Sequence, residues 1–153
     1  MPYTTRSARD SDVPALVELM EAFYAEAAMP LDRDWAGRAF EQLLGDPTRG
    51  AIWLVLDGEL PVGHVVLTVR FSMEYGGLDA FIDDLYVRPE HRRSGVATAA
   101  LAALFEECRR REVLAVHVEV GQDNDAARML YERFGLALRS DNRLIQTVRL
   151  QDA

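Results

Sequence analysis

The chain has 153 residues, of which 49% are hydrophobic and 27% are charged. This size and balance are typical of a globular domain with a sizeable core, and they exclude disorder, collagen-like sequence and coiled coil as the main architecture. The 17 basic and 25 acidic residues give a formal net charge of −8. A protein that binds phosphate backbones is normally basic, so we do not expect a nucleic-acid partner. A cationic partner suits the charge better, although a solvated acidic surface that aids solubility is the more ordinary explanation.

The cysteine and histidine content argues against a disulfide framework and a metal site. Cys108 is the single cysteine and there are three histidines, so no intramolecular disulfide is possible and a Cys/His zinc site is not favoured. Residues 1–6 lack the apolar core of a signal peptide. The longest apolar run, 96–105, is about half of what a bilayer span requires. We therefore expect a cytoplasmic protein that uses no metal and has no membrane partner.

The first half of the chain predicts two helices followed by a hairpin. Residues 12–27 carry an apolar face at helical spacing, with Pro14 in the first turn and N-cap candidates at 10–12. A weaker helix is expected over 33–44, ended by a Gly-Asp-Pro sequence. A short apolar strand over 51–56 and a valine-rich strand over 61–71 flank Asp57-Gly58, a dipeptide that favours a hairpin turn.

The second half alternates strands and helices. A strand over 80–87, a helix over 95–111 and a strand over 114–120 precede a helix that is capped by Asp123 or Asn124 and stopped at Gly135. Residues 144–150 are expected to close the chain as a final strand. This order predicts an α/β or α+β fold around a central mixed sheet.

The segment 83–98 predicts an anion site. It runs from a strand through a basic turn to small residues that open a helix, where the first backbone N–H groups have no intrahelical acceptor. Gly95 and Ala97 would allow a phosphate to approach the backbone, and Arg92 and Arg93 would add charged donors. The segment matches neither a P-loop nor a dinucleotide fingerprint. On these residues alone, a surface turn with two arginines is an equally good interpretation.

The last helix supplies a second motif. Alone, Asn124 is an ordinary N-cap and Tyr131 a half-buried core aromatic. In this order and spacing, however, the two segments together resemble the GNAT superfamily of acyl-CoA-dependent N-acetyltransferases. The superfamily's pyrophosphate motif, Q/R-x-x-G-x-G/A, is matched by Arg92, Gly95 and Ala97. Its second motif, an Asn followed by a helix ending Leu-Tyr-x-x-x-Gly-aromatic/apolar, is matched by Asn124, Leu130, Tyr131, Gly135 and Leu136, with Leu136 where the superfamily often has an aromatic residue.

The resemblance covers nearly the whole chain and implies a single N-acetyltransferase domain over residues 1–153. It implies a mixed, mostly antiparallel sheet, splayed between the fourth and fifth strands and flanked by about four helices. It also implies acetyl-CoA as cosubstrate, with the pantetheine arm in the splay and the pyrophosphate at the turn. The residues implied to bind it are Leu85, Tyr86, Val87, Arg92, Arg93, Ser94, Gly95, Val96, Ala97, Thr98, Asn124 and Tyr131.

The resemblance gives Tyr131 the role of protonating the departing CoA thiolate. The acceptor amine must also lose a proton, and Asp83 and Asp84 are the candidates to accept it, because acidic residues match both positions in polyamine acetyltransferases. A regular strand would point the two to opposite faces, but this strand often carries a bulge in the superfamily, so alternation does not decide between them. Asp83 is slightly favoured; Glu119 is a third candidate, and solvated charges without a proton role remain an equal alternative.

The acceptor site is expected between the first two helices and the loop before the fourth strand. An acidic, aromatic wall would favour a small amine cation through charge and cation–π contacts. Candidate lining residues are Tyr24, Glu26, Asp32, Trp35, Phe71, Glu74, Tyr75 and Glu119.

The sequence therefore predicts an N-acetyltransferase in which a primary amine attacks acetyl-CoA directly. No covalent enzyme intermediate is expected, since Cys108 falls on the apolar stripe of its helix. Alternatives are acetylation of a protein N-terminus or lysine, and a module that binds acyl-CoA without turnover. By analogy with the superfamily, a homodimer is expected.

Overall fold

The computed structural model describes residues 3–151. This part of the chain contains five strands and four α-helices, with short 3-10 turns at 10–12 and 89–91. No helix in this range has the length and apolar character that a membrane span requires. In chain order the elements are β1 (Tyr3–Ser7), α1 (Val13–Glu26), α2 (Arg33–Leu44), β2 (Gly50–Asp57), β3 (Leu60–Ser72), β4 (Gly77–Val87), α3 (Val96–Arg110), β5 (Ala115–Val118) and α4 (Asp125–Arg133).

The five strands form one sheet in the order β1-β2-β3-β4-β5. The first three pairings are antiparallel, and β4 pairs with β5 in parallel. Parallel pairing requires a crossover connection, which α3 provides. The predicted mixed, mostly antiparallel sheet is confirmed.

Each face of the sheet has its own apolar core. On one face, α3 buries Leu101, Leu104 and Cys108 against β2, β3 and β4, and the apolar side of α4 packs against the same cluster. On the other face, α1 and α2 bury Leu16, Leu19, Ala36 and Phe40 against the same strands. The sheet is thus covered on both faces. Burial of Cys108 in the core under α3 raises the pKa of its thiol to about 11.

The sheet splits between β4 and β5. The two strands pair only where Asp79–Ile82 faces Ala115–Val118, whereas β4 stays paired with β3 through Val87. The last five residues of β4 therefore have a free edge on the side of β5. This confirms the predicted splay between the fourth and fifth strands.

A β-bulge lies at the point where the split begins. Val66 pairs with Asp84 and Leu67 with Ile82, so Asp83 is an extra residue on β4. Ile82, before the bulge, packs in the core under α3, whereas Tyr86, four residues later, packs in the core under α1 and α2. After the extra residue, side chains that would have pointed to one face of the sheet therefore point to the other.

The predicted final strand over 144–150 is wrong for this structure. These residues form no regular element and pair with no strand, and their side chains are exposed. The alternating strand 114–120 is also shorter than predicted, since its pairing ends at Val118. Within residues 3–151, neither 144–150 nor 119–120 is paired with a neighbouring strand, and a strand pattern without such pairing does not form a strand.

The core under α1 and α2 contains a fully buried histidine, His64 on β3, which packs edge-on against Phe40. Within the described residues, neither of its ring nitrogens has a hydrogen-bond partner. Burial lowers the pKa of His64 to about 4 from the ordinary 6.5. The unfolded chain therefore binds a proton on this side chain at a higher pH than the folded chain does.

We expect His64 to make the protein less stable as the pH falls from about 6.5 to about 4, by at most about 3 kcal/mol. His64→Leu should remove this contribution, which urea unfolding at pH 7.5 and pH 5 would measure. His91→Gln removes a partly exposed histidine and should keep the His64-dependent slope. Equal pH slopes for His64→Leu and the parent would contradict this account.

Candidate active site

A cleft of about 760 Å³ occupies the split between β4 and β5. It extends from the bulge to the N-terminus of α3, and α4 and the end of α1 complete its walls. Most of the residues that the sequence analysis selected line this one cleft, although they are far apart in the sequence. They are Glu26, Asp83, Asp84, Leu85, Tyr86, Val87, Arg92, Arg93, Gly95, Val96, Ala97, Thr98, Glu119, Asn124 and Tyr131.

The N-terminus of α3 opens into this cleft. Gly95 precedes the helix in the left-handed conformation, with φ of +87°, and the position of a Cβ there would meet no atom within 4 Å. In residues 3–151, no protein group accepts a hydrogen bond from the N–H groups of 95–98. These N–H groups and the positive end of the helix dipole are therefore available to an anion.

Arg92 is held in place by Glu26, 66 residues away in the sequence. Its Nη2 donates to both carboxylate oxygens of Glu26 at 2.7 and 2.8 Å, and its Nε donates to the Val87 carbonyl at 2.9 Å. Tyr86 also donates its hydroxyl to Glu26 at 2.5 Å. The Tyr86 and Arg92 hydrogen bonds hold the pKa of Glu26 below its usual range. Glu26 thus fixes the basic turn and has few lone pairs left for a substrate.

The other side of the basic turn is attached to β1. The hydroxyl of Tyr3 lies 3.0 Å from Nδ1 of His91 and 3.2 Å from the hydroxyl of Ser94. Ser94 also donates to the His91 carbonyl, and it does not line the cleft. Ser94 therefore holds the turn together, while Arg93, with φ of +60°, lines the cleft beside Gly95.

The free edge of β4 directs backbone groups into the cleft. The N–H of Arg88 donates to Val62, on the β3 side. Successive residues of a strand direct their backbone groups to opposite sides, so those of Tyr86 face β3 and those of Leu85 and Val87 face the split. An extended amide-containing ligand could pair with these groups as an added strand does.

The two α4 residues of the sequence motif border the cleft in different ways. The side-chain oxygen of Asn124 accepts from the N–H of Ala127 at 3.1 Å, which caps α4 and leaves the amide nitrogen free to donate. Tyr131 is 8% exposed, and its hydroxyl has no hydrogen-bond partner within 3–151. Burial raises the pKa of Tyr131. The phenol is therefore kept protonated and available to donate.

The bulge brings both aspartates into a second pocket. This pocket, of about 620 Å³, lies between α1, α2 and the sheet, and Asp83 and Asp84 line both it and the cleft. Burial and the charge of Asp83 raise the pKa of Asp84 to about 7. Burial and the charge of Glu119 also raise the pKa of Asp83. A carboxylate that titrates near neutral pH can take up and release a proton during a reaction.

Tyr24 and Trp35 line the second pocket, but the remaining acceptor candidates do not. Asp32 caps α2 by accepting from the N–H groups of Asp34 and Trp35. Phe71 and Glu74 lie at the far end of the β3–β4 hairpin, and Tyr75 lines a groove along the outer side of β5. The second pocket also contains residues that were not selected from the sequence. They include Met20, Phe40, Gln42, Arg49, Val66 and Thr68. Of these, Val66 and Thr68 could have been selected, because alternation along β3 places them on the same face of the strand.

In the described part of the chain, no group of three or more histidine, cysteine, aspartate or glutamate side chains is arranged to hold a metal ion. The cleft offers donors for an anion at one end, and two carboxylates and a phenol at the other.

Solved structures with the same fold include an integron cassette protein from the mobile metagenome of Cole Harbour salt marsh. It is 42% identical, with a TM-score of 0.86 over 97% of this chain and 91% of that chain. A predicted acetyltransferase from Clostridium acetobutylicum, solved with acetyl-CoA, is 17% identical, with a TM-score of 0.79 over 95% of this chain and 96% of that one.

Sequence comparison also identifies similar proteins and a matching family. The human cysteine-rich protein 2-binding protein is 25% identical over 127 residues, which is 83% of this chain. This chain corresponds to 14% of the length of that protein, so the similarity concerns one part of it. The family profile of the acetyltransferase (GNAT) family matches residues 14–136. The chain therefore belongs to the acetyltransferase (GNAT) family.

Proposed function

We propose that this chain transfers the acetyl group of acetyl-CoA to the primary amine of a small molecule. One observation carries the proposal: the unpaired N–H groups at 95–98, the buried Tyr131 and the raised-pKa carboxylate of Asp84 line a single cleft. An anion site can hold the diphosphate of the acyl carrier, a proton acceptor can free the attacking amine, and a proton donor can assist the departing thiolate.

The cleft suits the shape and charge of CoA. The N–H groups of 95–98 and the guanidinium of Arg93 are available for the diphosphate, and the backbone of Leu85 and Val87 is available for the amides of the pantetheine arm. The amide nitrogen of Asn124 adds a donor on the opposite wall. When bound, acetyl-CoA supplies an activated thioester.

The second pocket suits a small amine. It opens beside Asp83 and Asp84 and has the aromatic rings of Tyr24 and Trp35 in its walls. A cation gains from both kinds of neighbour, through charge attraction and through cation–π contact. The net charge of −8 would also favour the approach of a cation.

Asp84 is the proposed acceptor of the amine proton. Asp83 is slightly favoured from the sequence, but Asp84 is the less exposed of the two and has a pKa of about 7. At neutral pH a substantial fraction is ionised and able to accept a proton, whereas an ordinary aspartate is a much weaker base. Burial is the main cause of this raised pKa, and Asp83 assists because its negative charge raises the pKa of Asp84 further.

Tyr131 is the proposed donor to the sulfur. In water a phenol is a weaker acid than a thiol, so its contribution is a hydrogen bond to a sulfur atom that gains charge as the C–S bond breaks. The proton can follow as the thiol leaves. The hydroxyl has no partner within 3–151 that would compete for it.

The first test measures thiol release from acetyl-CoA with a panel of small diamines, amino sugars and peptides that carry a free N-terminus or a lysine. We expect turnover with small amines and little with peptides, because the second pocket is bounded by α1 and α2. Preference for peptides would move the function to protein acetylation. Tight CoA binding without release for any amine would favour a binding module.

Tyr131→Phe is expected to lower kcat more than tenfold, with a CoA dissociation constant within about twofold of the parent. The substitution removes one oxygen and keeps the ring that packs in the core. Tyr24→Phe removes a hydroxyl from the second pocket and serves as the matched control, with a change in KM for the amine rather than in kcat. Unchanged kcat for Tyr131→Phe would remove Tyr131 from the reaction.

Asp84→Asn is expected to lower kcat/KM more than tenfold while stabilising the fold. The ratio of parent to variant rate should rise with pH through about 7, the pKa of Asp84. Because the pKa of folded Asp84 is raised from 3.8 to about 7, its ionisation costs stability progressively between these two pH values and in full above about 7, so the variant should gain at most about 4 kcal/mol at pH 8. Asp83→Asn, at the more exposed position, should gain less. A variant that is less stable than the parent at pH 8 would contradict the assignment.

A further inference from the structure

The second pocket has polar groups of two kinds. Asp83 and Asp84 line it where it meets the cleft, and they are hydrogen-bond acceptors when ionised. Arg49, Gln42 and Thr68 also line it, and each can donate a hydrogen bond. A substrate that carries only an amine would use the carboxylates and would leave these three donors without a matching group. The function proposed above therefore leaves the donors unexplained.

The donors belong to the end of the pocket where α2 leads into β2. Gln42 lies in the last turn of α2, and Arg49 directly precedes β2, whose first residue pairs with Thr68 on β3. The carboxylates lie farther along the sheet, because Asp84 pairs with Val66. Thr68 and Asp84 are thus two residues apart along the sheet and one strand apart across it, which places their Cα atoms about 8 Å from each other.

Within residues 3–151, the protein itself makes little use of these donors. The Arg49 guanidinium donates only through Nε, to Asp46 at 3.1 Å, and both of its Nη groups are unpaired. The side chains of Gln42 and Thr68 make no hydrogen bond in this part of the chain, and neither is sealed from solvent. The Arg49 side chain is 64% exposed, so a ligand in the pocket can reach it. Asp46 thus holds the guanidinium and leaves two of its nitrogens available.

A carboxylate fits this set of donors. Two N–H groups of one guanidinium match the two oxygens of a carboxylate, and such charged pairs form stronger hydrogen bonds than neutral groups do. The amide of Gln42 and the hydroxyl of Thr68 can donate to the remaining lone pairs. One guanidinium also balances the single charge of a carboxylate, whereas a phosphate monoester carries nearly two charges at pH 7.

We propose that the acceptor is a free amino acid. Its carboxylate binds Arg49, Gln42 and Thr68, and its amine lies at Asp84. The short distance between the two ends of the pocket suits an amine and a carboxylate that are joined by one or a few carbon atoms. This inference rests on the function proposed above and narrows its substrate class.

The remaining walls of the pocket suit the side chain of such a substrate. Met20, Phe40 and Trp35 contribute apolar and aromatic surface, and the pocket has a volume of about 620 Å³. Burial of an apolar side chain against these residues is favourable. Leucine, methionine and phenylalanine are therefore suitable probes.

The test compares acetylation of leucine, methionine and phenylalanine with acetylation of their carboxamides. Each pair has the same side chain and nearly the same size, but the carboxamide lacks the negative charge. We expect kcat/KM for each amino acid to exceed that for its carboxamide at least about tenfold, because a neutral amide is a weaker partner for a guanidinium.

Arg49→Gln removes the positive charge and keeps a polar side chain. It should lower kcat/KM for the amino acids at least about tenfold, mainly through KM, and that for the carboxamides less than about threefold. Arg38→Gln, on an exposed part of α2 that does not line the pocket, is the matched control and should leave both series as in the parent. Circular dichroism should show both variants folded, because both side chains are exposed.

A role of Arg49 that is confined to its turn with Asp46 would change both series equally. Equal losses for the two series, or carboxamides that the parent acetylates as well as amino acids, therefore overturn the inference and leave the proposed function intact. Turnover confined to diamines or amino sugars has the same meaning. If no amine in any of these series is acetylated, the proposed function fails and the inference fails with it.

Discussion

The bulge at Asp83 is the local constraint on which the site depends. It falls where β5 leaves the sheet, so one short stretch of β4 both ends its pairing with β5 and changes the direction of its side chains. Without the extra residue, Asp84 would share the face of Ile82 and would point into the core under α3. With it, both carboxylates lie where the cleft meets the second pocket.

The anion site depends on a different feature. The turn before α3 is fixed by side chains of α1 and β1. Glu26 fixes Arg92 from α1, and Tyr3 holds His91 and Ser94 from β1. Neither attachment uses the N–H groups of 95–98. The backbone donors are thus positioned before any ligand arrives, and the ordering cost of binding is reduced accordingly. The negative charge of Glu26 offsets the positive charge of Arg92 in the turn. Arg93 and the helix dipole are therefore the main positive groups there.

Local patterns predicted most of the fold. The helical spacing and the cap residues located all four helices, and Gly135 adopts the left-handed conformation that its position as a helix stop requires. The pairing of Arg92 with Glu26 had no sequence signal, because the two are 66 residues apart. The face of the sheet to which Asp84 points could not be predicted from alternation, since the bulge depends on the register of β3 against β4. The strand predicted over 144–150 has the right pattern, but within residues 3–151 it pairs with no other strand.

The central claim is that the N–H groups at the start of α3 bind the diphosphate of CoA. The most direct measurement is a titration of the isotopically labelled chain with CoA and, separately, with pantetheine, followed by amide NMR. The account predicts large shifts at Gly95, Val96, Ala97 and Thr98 with CoA, and smaller ones there with pantetheine, which lacks the diphosphate. Shifts confined to other regions, or equal shifts with both ligands at these four amides, would contradict it.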